Sequence, residues 1–333
     1  MTAARKYLVF GGGAVGSVFA WRLQQGGAKV SVVCRSNFRA VRDNGFNIDS
    51  VKYGAGKFTP DNVYQSASDV VKDKQDYDYI LVSTKSLPNI VNPAELVAPC
   101  VRDKKTVLVL MQNGIGIEQY FEEKFPENPI IPATVFLDAH QTEHGSITHG
   151  VSIKLDYGIY KPQQLGVQKT ESILEQLKQD LVAGDVESSI LDNVQRSRWS
   201  KVIWNASFGP ISVLAGKYNA SELLGDPIAN QLVRTTMKEL IAIGDTTTGE
   251  KVSPISSEDF IDKMIDFTQN RPNPFIPSML VDFENKRPME HHVIVKNPID
   301  VANKLGVKVP VLETLYSLLV LLEKKSLGSG NKQ

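Results

Sequence analysis

Apolar positions follow two rhythms along the chain. In the first 140 residues, short runs that are apolar at nearly every position recur at 7–10, 30–33, 79–82 and 107–111, with 130–136 as a further one. Such runs suit strands covered on both faces, as in parallel sheets. Segments with helical spacing lie between them; residues 15–25, with Val18, Phe19 and Leu23 apolar, are the clearest. Strands alternating with helices predict right-handed βαβ units and a doubly wound α/β sheet. Residues 145–158 read as short strands broken by glycines, a hairpin at the sheet edge, and 172–181 as helix. From Asp192 onward the spacing is helical almost throughout, with interruptions expected at Pro210, Pro227, Pro254 and the cluster from Pro272 to Pro277. The change of rhythm predicts two domains, residues 1–192 and 193–333, the second all-α.

Composition narrows the classes of function. Lys and Arg number 37 and Asp and Glu 37, so the chain is formally neutral. Neither the basic footprint of a nucleic-acid binder nor the Lys/Arg excess of a membrane-surface protein is there. The longest late apolar run, 318–322, is far short of the ~20 residues a membrane span needs. Two cysteines, Cys34 and Cys100, make no disulfide framework, which fits a reducing, cytoplasmic setting. The five histidines show no zinc-ligand spacing, so no metal is expected. The polar tail 324–333 reads as frayed. A small-molecule partner is left, with a homodimer open.

The strongest local motif is Gly11-Gly12-Gly13-Ala14-Val15-Gly16. Gly11 permits a tight turn, Gly13 lets backbone approach a pyrophosphate, and Gly16 lets the following helix pack on the strand. The amides of that helix start, from Ala14 and Val15 on, then face the phosphates. A glycine-rich turn that binds nothing is the alternative, but a strand before and a helix after favour dinucleotide binding. After the second strand, NAD-binding units place an acid for the ribose 2′-hydroxyl. Here the residues are Cys34-Arg35-Ser36-Asn37-Phe38-Arg39, without an acid. Arg35, unless it is a solvated loop residue, suits a 2′-phosphate, so NADP is favoured. Lys85 and Asn113 end two further strands, where an open α/β sheet forms its ligand crevice; either could equally be an ordinary loop residue.

In the helical half, Lys201 and Asn205 are four apart on one helix face, with Gly209 a turn further. Their neighbours Trp199, Val202, Ile203 and Ala206 are apolar and expected to be packed. Lys201 is thus either a proton donor in a buried setting or a snorkelling lysine. Ser278 reads as a helix N-cap and Glu290 as a first-turn acid, or as an acid turned toward Lys201. His291 and His292 read as structural or surface residues.

Taken in order, these residues resemble the ketopantoate reductase (2-dehydropantoate 2-reductase) family over most of the chain, from Tyr7 to about Leu322. The series is Gly11-x-Gly13-x-x-Gly16, Cys34-Arg35, Thr84-Lys85, Gln112-Asn113-Gly114, Arg198-Trp199-x-Lys201-x-x-x-Asn205, Ser278-Met279-x-x-Asp282, Glu290 and Gly306-x-x-x-Pro310. The resemblance implies a Rossmann-type domain followed by an all-α domain like the C-terminal domain of 6-phosphogluconate dehydrogenase. It implies NADPH-dependent reduction of 2-dehydropantoate, or a similar branched 2-keto acid, to the hydroxy acid. Lys201 would then be the general acid and Glu290 its holder. Asn113, Asn205 and Ser278 would contact substrate, Lys85 and Asn113 the cofactor side, and Arg35 the 2′-phosphate. Two places depart from the family pattern: Gly209 stands where a second asparagine is usual, and 291–296 lacks the usual Asp and Gly. Both fall on substrate-side elements, so a reductase of another keto or imine substrate stays open, as does a non-catalytic NADP-binding sensor.

Overall fold

The computed structural model describes residues 4–271 and 274–328. Among them, ten strands form one sheet: β1 (Lys6–Phe10), β2 (Lys29–Val33), β3 (Phe46–Ser50), β4 (Gly54–Phe58), β5 (Asn62–Tyr64), β6 (Tyr79–Val82), β7 (Val107–Leu110), β8 (Ile130–Glu143), β9 (Ser146–Tyr157) and β10 (Glu187–Ile190). Their order is β4-β3-β9-β8-β7-β6-β1-β2-β5, with β10 also on β9. Every pair from β5 to β8 is parallel, as the continuous apolar runs predict. Tyr7, Val9, Tyr79, Leu81, Val107 and Val109 join one core with Val18, Phe19 and Leu23 of helix Ala14–Gln25 and Leu174, Leu177 and Leu181 of helix Val167–Ala183. The alternate residues Leu8, Ile80 and Leu108 are fully buried as well, so both faces of the sheet are covered. Asp180 accepts from Arg5 Nε at 2.5 Å and from the Tyr7 hydroxyl at 2.5 Å, tying the second helix to β1.

The segment after residue 145 differs from expectation. It is a single twelve-residue strand, β9, antiparallel to β8 across Gly145 (φ +87°). It does not lie at the sheet edge, because its other side pairs in parallel with β3 and β10. The edge belongs to β4, whose sequence Gly-Ala-Gly-Lys-Phe carries almost no strand signal.

The chain groups into two units. The first holds Met1–Lys85, Val91–Gln112 and Ile117–Val194; the second holds Ser86–Ile90, Asn113–Gly116 and Gln195–Gln333. The expected boundary after residue 192 assigned the two short loops to the first domain. Their contacts place them in the second.

The second unit is helical. Its central helix, Val194–Leu214, buries Trp199, Val202, Ile203 and Ala206. Trp199 packs where Gly244 of helix Pro227–Thr248 leaves room: a Cβ on that glycine would sit 3.4 Å from the indole. Pro210 does not interrupt the central helix but lies inside it. An interior proline costs ~3 kcal/mol. The buried Phe208, Ile211 and Val213 around it each contribute about 1.5–3 kcal/mol, which offsets that cost. Pro227 is the first residue of its helix, where a missing amide costs nothing. Helix Pro310–Gly328 continues through the start of the expected tail; residues 329–333 and Pro272 lie outside the described residues. Among the described residues no helix is long and apolar enough to cross a membrane.

Candidate active site

The first unit presents the glycine-rich turn at the carboxyl end of β1. Gly11 has φ +125°, and a Cβ there would lie 2.8 Å from the Thr84 amide nitrogen. A Cβ on Gly16 would fall 2.0 Å from the Gly11 carbonyl oxygen. At Gly13, by contrast, no atom lies within 4 Å of the added carbon, so open space faces the one glycine expected to meet a phosphate. Gly13 precedes helix Ala14–Gln25, which has no side-chain cap and no acid in its first turn. Its leading amides and its dipole are therefore available to an anion. The turn is braced from β6 and from the segment after β2: Ser83 Oγ donates to the Gly11 carbonyl at 2.9 Å, and Asn37 Nδ2 to the Gly12 carbonyl at 2.6 Å. Arg35 follows β2 and is exposed, as is Ser36, while Asn37 is buried. Lys85 is half-buried at the end of β6, and Gln112 Nε2 donates to the Thr84 carbonyl at 2.8 Å.

The second unit gathers charged groups. Glu290 is buried directly before a π-helical turn, His292–Lys296. One of its carboxylate oxygens accepts from the Ser86 amide at 2.8 Å and the other from Asn113 Nδ2 at 3.2 Å. Glu323 secures both neighbours of Glu290: it accepts from the Met289 amide at 2.7 Å and pairs with His291 Nε2 at 2.8 Å. Of the two readings open for His291, structural or surface, the surface one does not hold: its ring is buried against Glu323. The loop carrying Asn113 is seated on the π-helical turn. Gly114 has φ +91°, a Cβ there would meet the Val293 carbonyl oxygen at 2.5 Å, and the Ile115 amide donates to that oxygen at 3.1 Å. Only glycine fits at this close approach.

Lys201 keeps partial exposure, but its ammonium is densely surrounded. Burial lowers its pKa from 10.5 to about 8; the Arg198 charge lowers it too, and the Glu290 carboxylate acts in the opposite direction. A lysine in this setting holds its proton at neutral pH yet gives it up far more readily than a solvated one. Such a group can donate a proton to an oxygen on which negative charge develops.

The structure thus brings together Lys201, Glu290 and Asn113. Asn205 lies one turn beyond Lys201 and is half-buried. Ser278 is not an N-cap: Pro277 holds that position, and Ser278 is the exposed first residue of helix Ser278–Glu284. That helix reaches the central one at Gly209, where a Cβ would lie 3.3 Å from Met279 Cβ. Sequence reasoning missed the Ser86 amide, which any side chain could carry. It also passed over Asn37 and Arg198, which stand inside quoted motifs; the i, i+3 spacing of Arg198 and Lys201 was the signal that could have found the second.

Known proteins match this architecture throughout. Residues 7–162 match the family described as ketopantoate reductase PanE/ApbA, and residues 193–323 match its C-terminal family. A 2-dehydropantoate 2-reductase of Nostoc sp. is 30% identical over 322 residues, covering 97% of this chain and 96% of its own. A crystal structure of 2-dehydropantoate 2-reductase from Methylococcus capsulatus is 32% identical with a TM-score of 0.82, covering 96% of this chain and 97% of that one. D-mandelate dehydrogenase, solved with NADH and anilino(oxo)acetate, has a TM-score of 0.83 at 20% identity, covers 96% of this chain and 99% of its own, and shares the fold. With its mixed α/β sheet domain and helical C-terminal domain, the chain is an oxidoreductase that belongs to the ketopantoate reductase PanE/ApbA family.

Proposed function

We propose that this protein reduces 2-dehydropantoate, or a closely similar branched 2-keto acid, with NADPH, and that Lys201 is the general acid. The observation that carries the reading is a lysine with a pKa lowered to about 8, facing a carboxylate that is itself held by two hydrogen-bond donors. The residues of the first unit fit a nicotinamide dinucleotide. Gly13 faces open space, the helix start is uncapped, and Arg35 follows β2 without an acid beside it. When bound, the dinucleotide supplies the hydride. Gly11, Gly13, Ala14, Val15 and Gly16 form the phosphate cradle, Arg35 pairs with the 2′-phosphate, and Lys85 and Asn113 complete the cofactor side.

Lys201 gives its proton to the keto oxygen as charge builds there. Glu290, fixed by the Ser86 amide and Asn113, keeps the ammonium aimed and charged. Asn205 and Ser278 contact the substrate. In this reading the domains are 1–192 for the cofactor and 193–333 for substrate and catalysis, with the two loops after β6 and β7 lent to the second.

One observation favours a neighbouring substrate. Position 209, one turn beyond Asn205 on the same face, is a glycine packed on Met279, so it offers no side-chain hydrogen-bonding group there. A less polar 2-keto acid, or an imine, would suit such a wall. The deciding experiment follows nicotinamide absorbance with NADPH and a panel containing 2-dehydropantoate, less polar 2-keto acids and imines. Highest kcat/KM on 2-dehydropantoate is expected. A higher value on an apolar member selects the second reading, and NADPH binding without turnover on any member overturns the enzymatic one.

A further inference from the structure

Arg198 is buried, three residues before Lys201 on the same face of helix Val194–Leu214. Two cations so placed repel each other, and burying a guanidinium is costly unless its bonds are good. Its Nη2 donates to the Gly114 carbonyl at 2.6 Å. That carbonyl belongs to the loop whose Asn113 holds Glu290, and whose Ile115 is held from both sides. The Ile115 amide donates to Val293, and Asn297 Nδ2 donates to the Ile115 carbonyl at 2.7 Å. A chain of contacts therefore runs from Arg198 through Gly114 and Asn113 to Glu290, and Glu290 faces Lys201.

We propose that Arg198 is a positioning residue for the reaction: it clamps the 113–116 loop so that Glu290 stays aligned with Lys201, and it sets a second cation beside Lys201. The proposal rests on the reading of Lys201 as general acid. The charged groups that act on Lys201 are Arg198, from its own helix, and Glu290, from the segment packed against it. They pull in opposite directions: the carboxylate keeps the proton on, and the guanidinium eases its release. An apolar side chain at 198 would cost less to bury but would supply neither effect.

The test uses the full-length protein with NADPH and the best substrate of the keto-acid panel. Arg198→Gln removes the charge; its amide nitrogen ends two bonds short of Nη2, so it loosens the Gly114 contact as well, and of kcat only the position of the limb is read from it. Its alkaline limb of kcat should move up by about one pH unit, with the KM for NADPH unchanged. Arg198→Lys keeps the charge but loses the planar fork. Its limb should stay in place while plateau kcat falls about tenfold. Amide exchange at Ile115, followed by mass spectrometry without any ligand, should accelerate in Arg198→Lys if the clamp is lost.

A folded Arg198→Gln whose limb coincides with the wild type overturns the charge role. Wild-type kcat and Ile115 exchange in Arg198→Lys overturn the clamp. If Arg198→Gln fails to fold, Arg198→Lys still decides the clamp, and Arg198→Met, neutral and suited to a buried site, decides the charge by the same limb. Normal turnover in Lys201→Ala overturns the general-acid reading and this proposal together. An inactive Lys201→Ala beside an unmoved Arg198→Gln limb overturns only the charge role of Arg198.

Discussion

The glycine-rich turn and the cluster around Lys201 are made of different materials. The turn works through backbone: amides at a helix start, carbonyls braced by Ser83 and Asn37, and glycines that leave space. Nothing charged is buried there. The cluster works through buried charge, with Arg198 and Glu290 deeply enclosed and Lys201 between their opposed fields. Gripping a ligand common to many reactions needs only a shape that the main chain can supply. Moving a proton at neutral pH needs a side chain whose proton affinity has been displaced, and the displacement costs stability.

Predictions follow from this contrast, in falling order of effect. Lys201→Ala should lower kcat by ~10²–10⁴, the range for a lost general acid, while NADPH affinity by fluorescence titration stays within about twofold. Loss of both together would erase the division of labour. Glu290→Ala should also be slow, and the double variant should lose far less than the product of the two single losses, because the pair acts as one unit.

Next comes the turn. In Gly16→Ala the new Cβ would press on the Gly11 carbonyl and on Ser83 Oγ. Overpacking of this kind costs about 1–3 kcal/mol, so calorimetry should record a lower Tm and titration a weaker hold on the dinucleotide. Arg35→Ala should weaken NADPH tenfold to hundredfold, the worth of a charge-assisted hydrogen bond at roughly 1.5–3 kcal/mol, and leave NADH nearly untouched. Equal losses for both cofactors would remove Arg35 from the 2′-phosphate.

The pH dependence is smaller. Because the Lys201 pKa is lowered to about 8, the acid is mostly protonated at pH 7 and loses its proton as pH rises through 8. Reductive kcat should be flat below that point and fall to about a tenth by pH 9. A plateau extending to pH 10 would mean that another group donates the proton. The smallest expected effect is on the stability of Gly13→Ala. With no atom within 4 Å of the added carbon, Tm without ligand should shift by less than ~0.5 kcal/mol in stability terms. Dinucleotide binding should still weaken, because the methyl enters the space facing the phosphates. A marked drop in Tm would show Gly13 to be a packing glycine like Gly16.

The same contrast governs what could be read in the sequence. The turn is local: strand, glycines and helix are contiguous, so spacing alone exposes it. The parallel core strands were equally plain, since β1, β2, β6 and β7 are apolar on both faces. Strands β3, β4 and β5 were not, being short, alternating or glycine-rich. The cluster joins residues 86, 113, 198, 201 and 290, brought near by tertiary packing rather than by any period. Strand-end position and helical spacing raised Asn113, Lys201 and Glu290 as candidates with bland alternatives beside them; the family resemblance chose between the two, and Arg198 was given no role. One member of the cluster, the Ser86 amide, has no side-chain signature at all.

The loops at Ser86–Ile90 and Asn113–Gly116 have a consequence for how the chain can be cut and made. The polypeptide enters its helical unit three times, twice as a few residues between strands of the sheet. A fragment starting at Gln195 would contain every long helix of that unit yet lack the Gly114 carbonyl for Arg198 and both donors for Glu290. Buried charges that lose hydrogen-bond donors or acceptors are among the costlier defects a fold can carry. The helical unit is therefore not an autonomous module that evolution or a cloning strategy could lift out at one joint. During synthesis, two of its pieces emerge on the ribosome some eighty residues or more before the helices that receive them. Their contacts with those helices can form only once translation has supplied the rest.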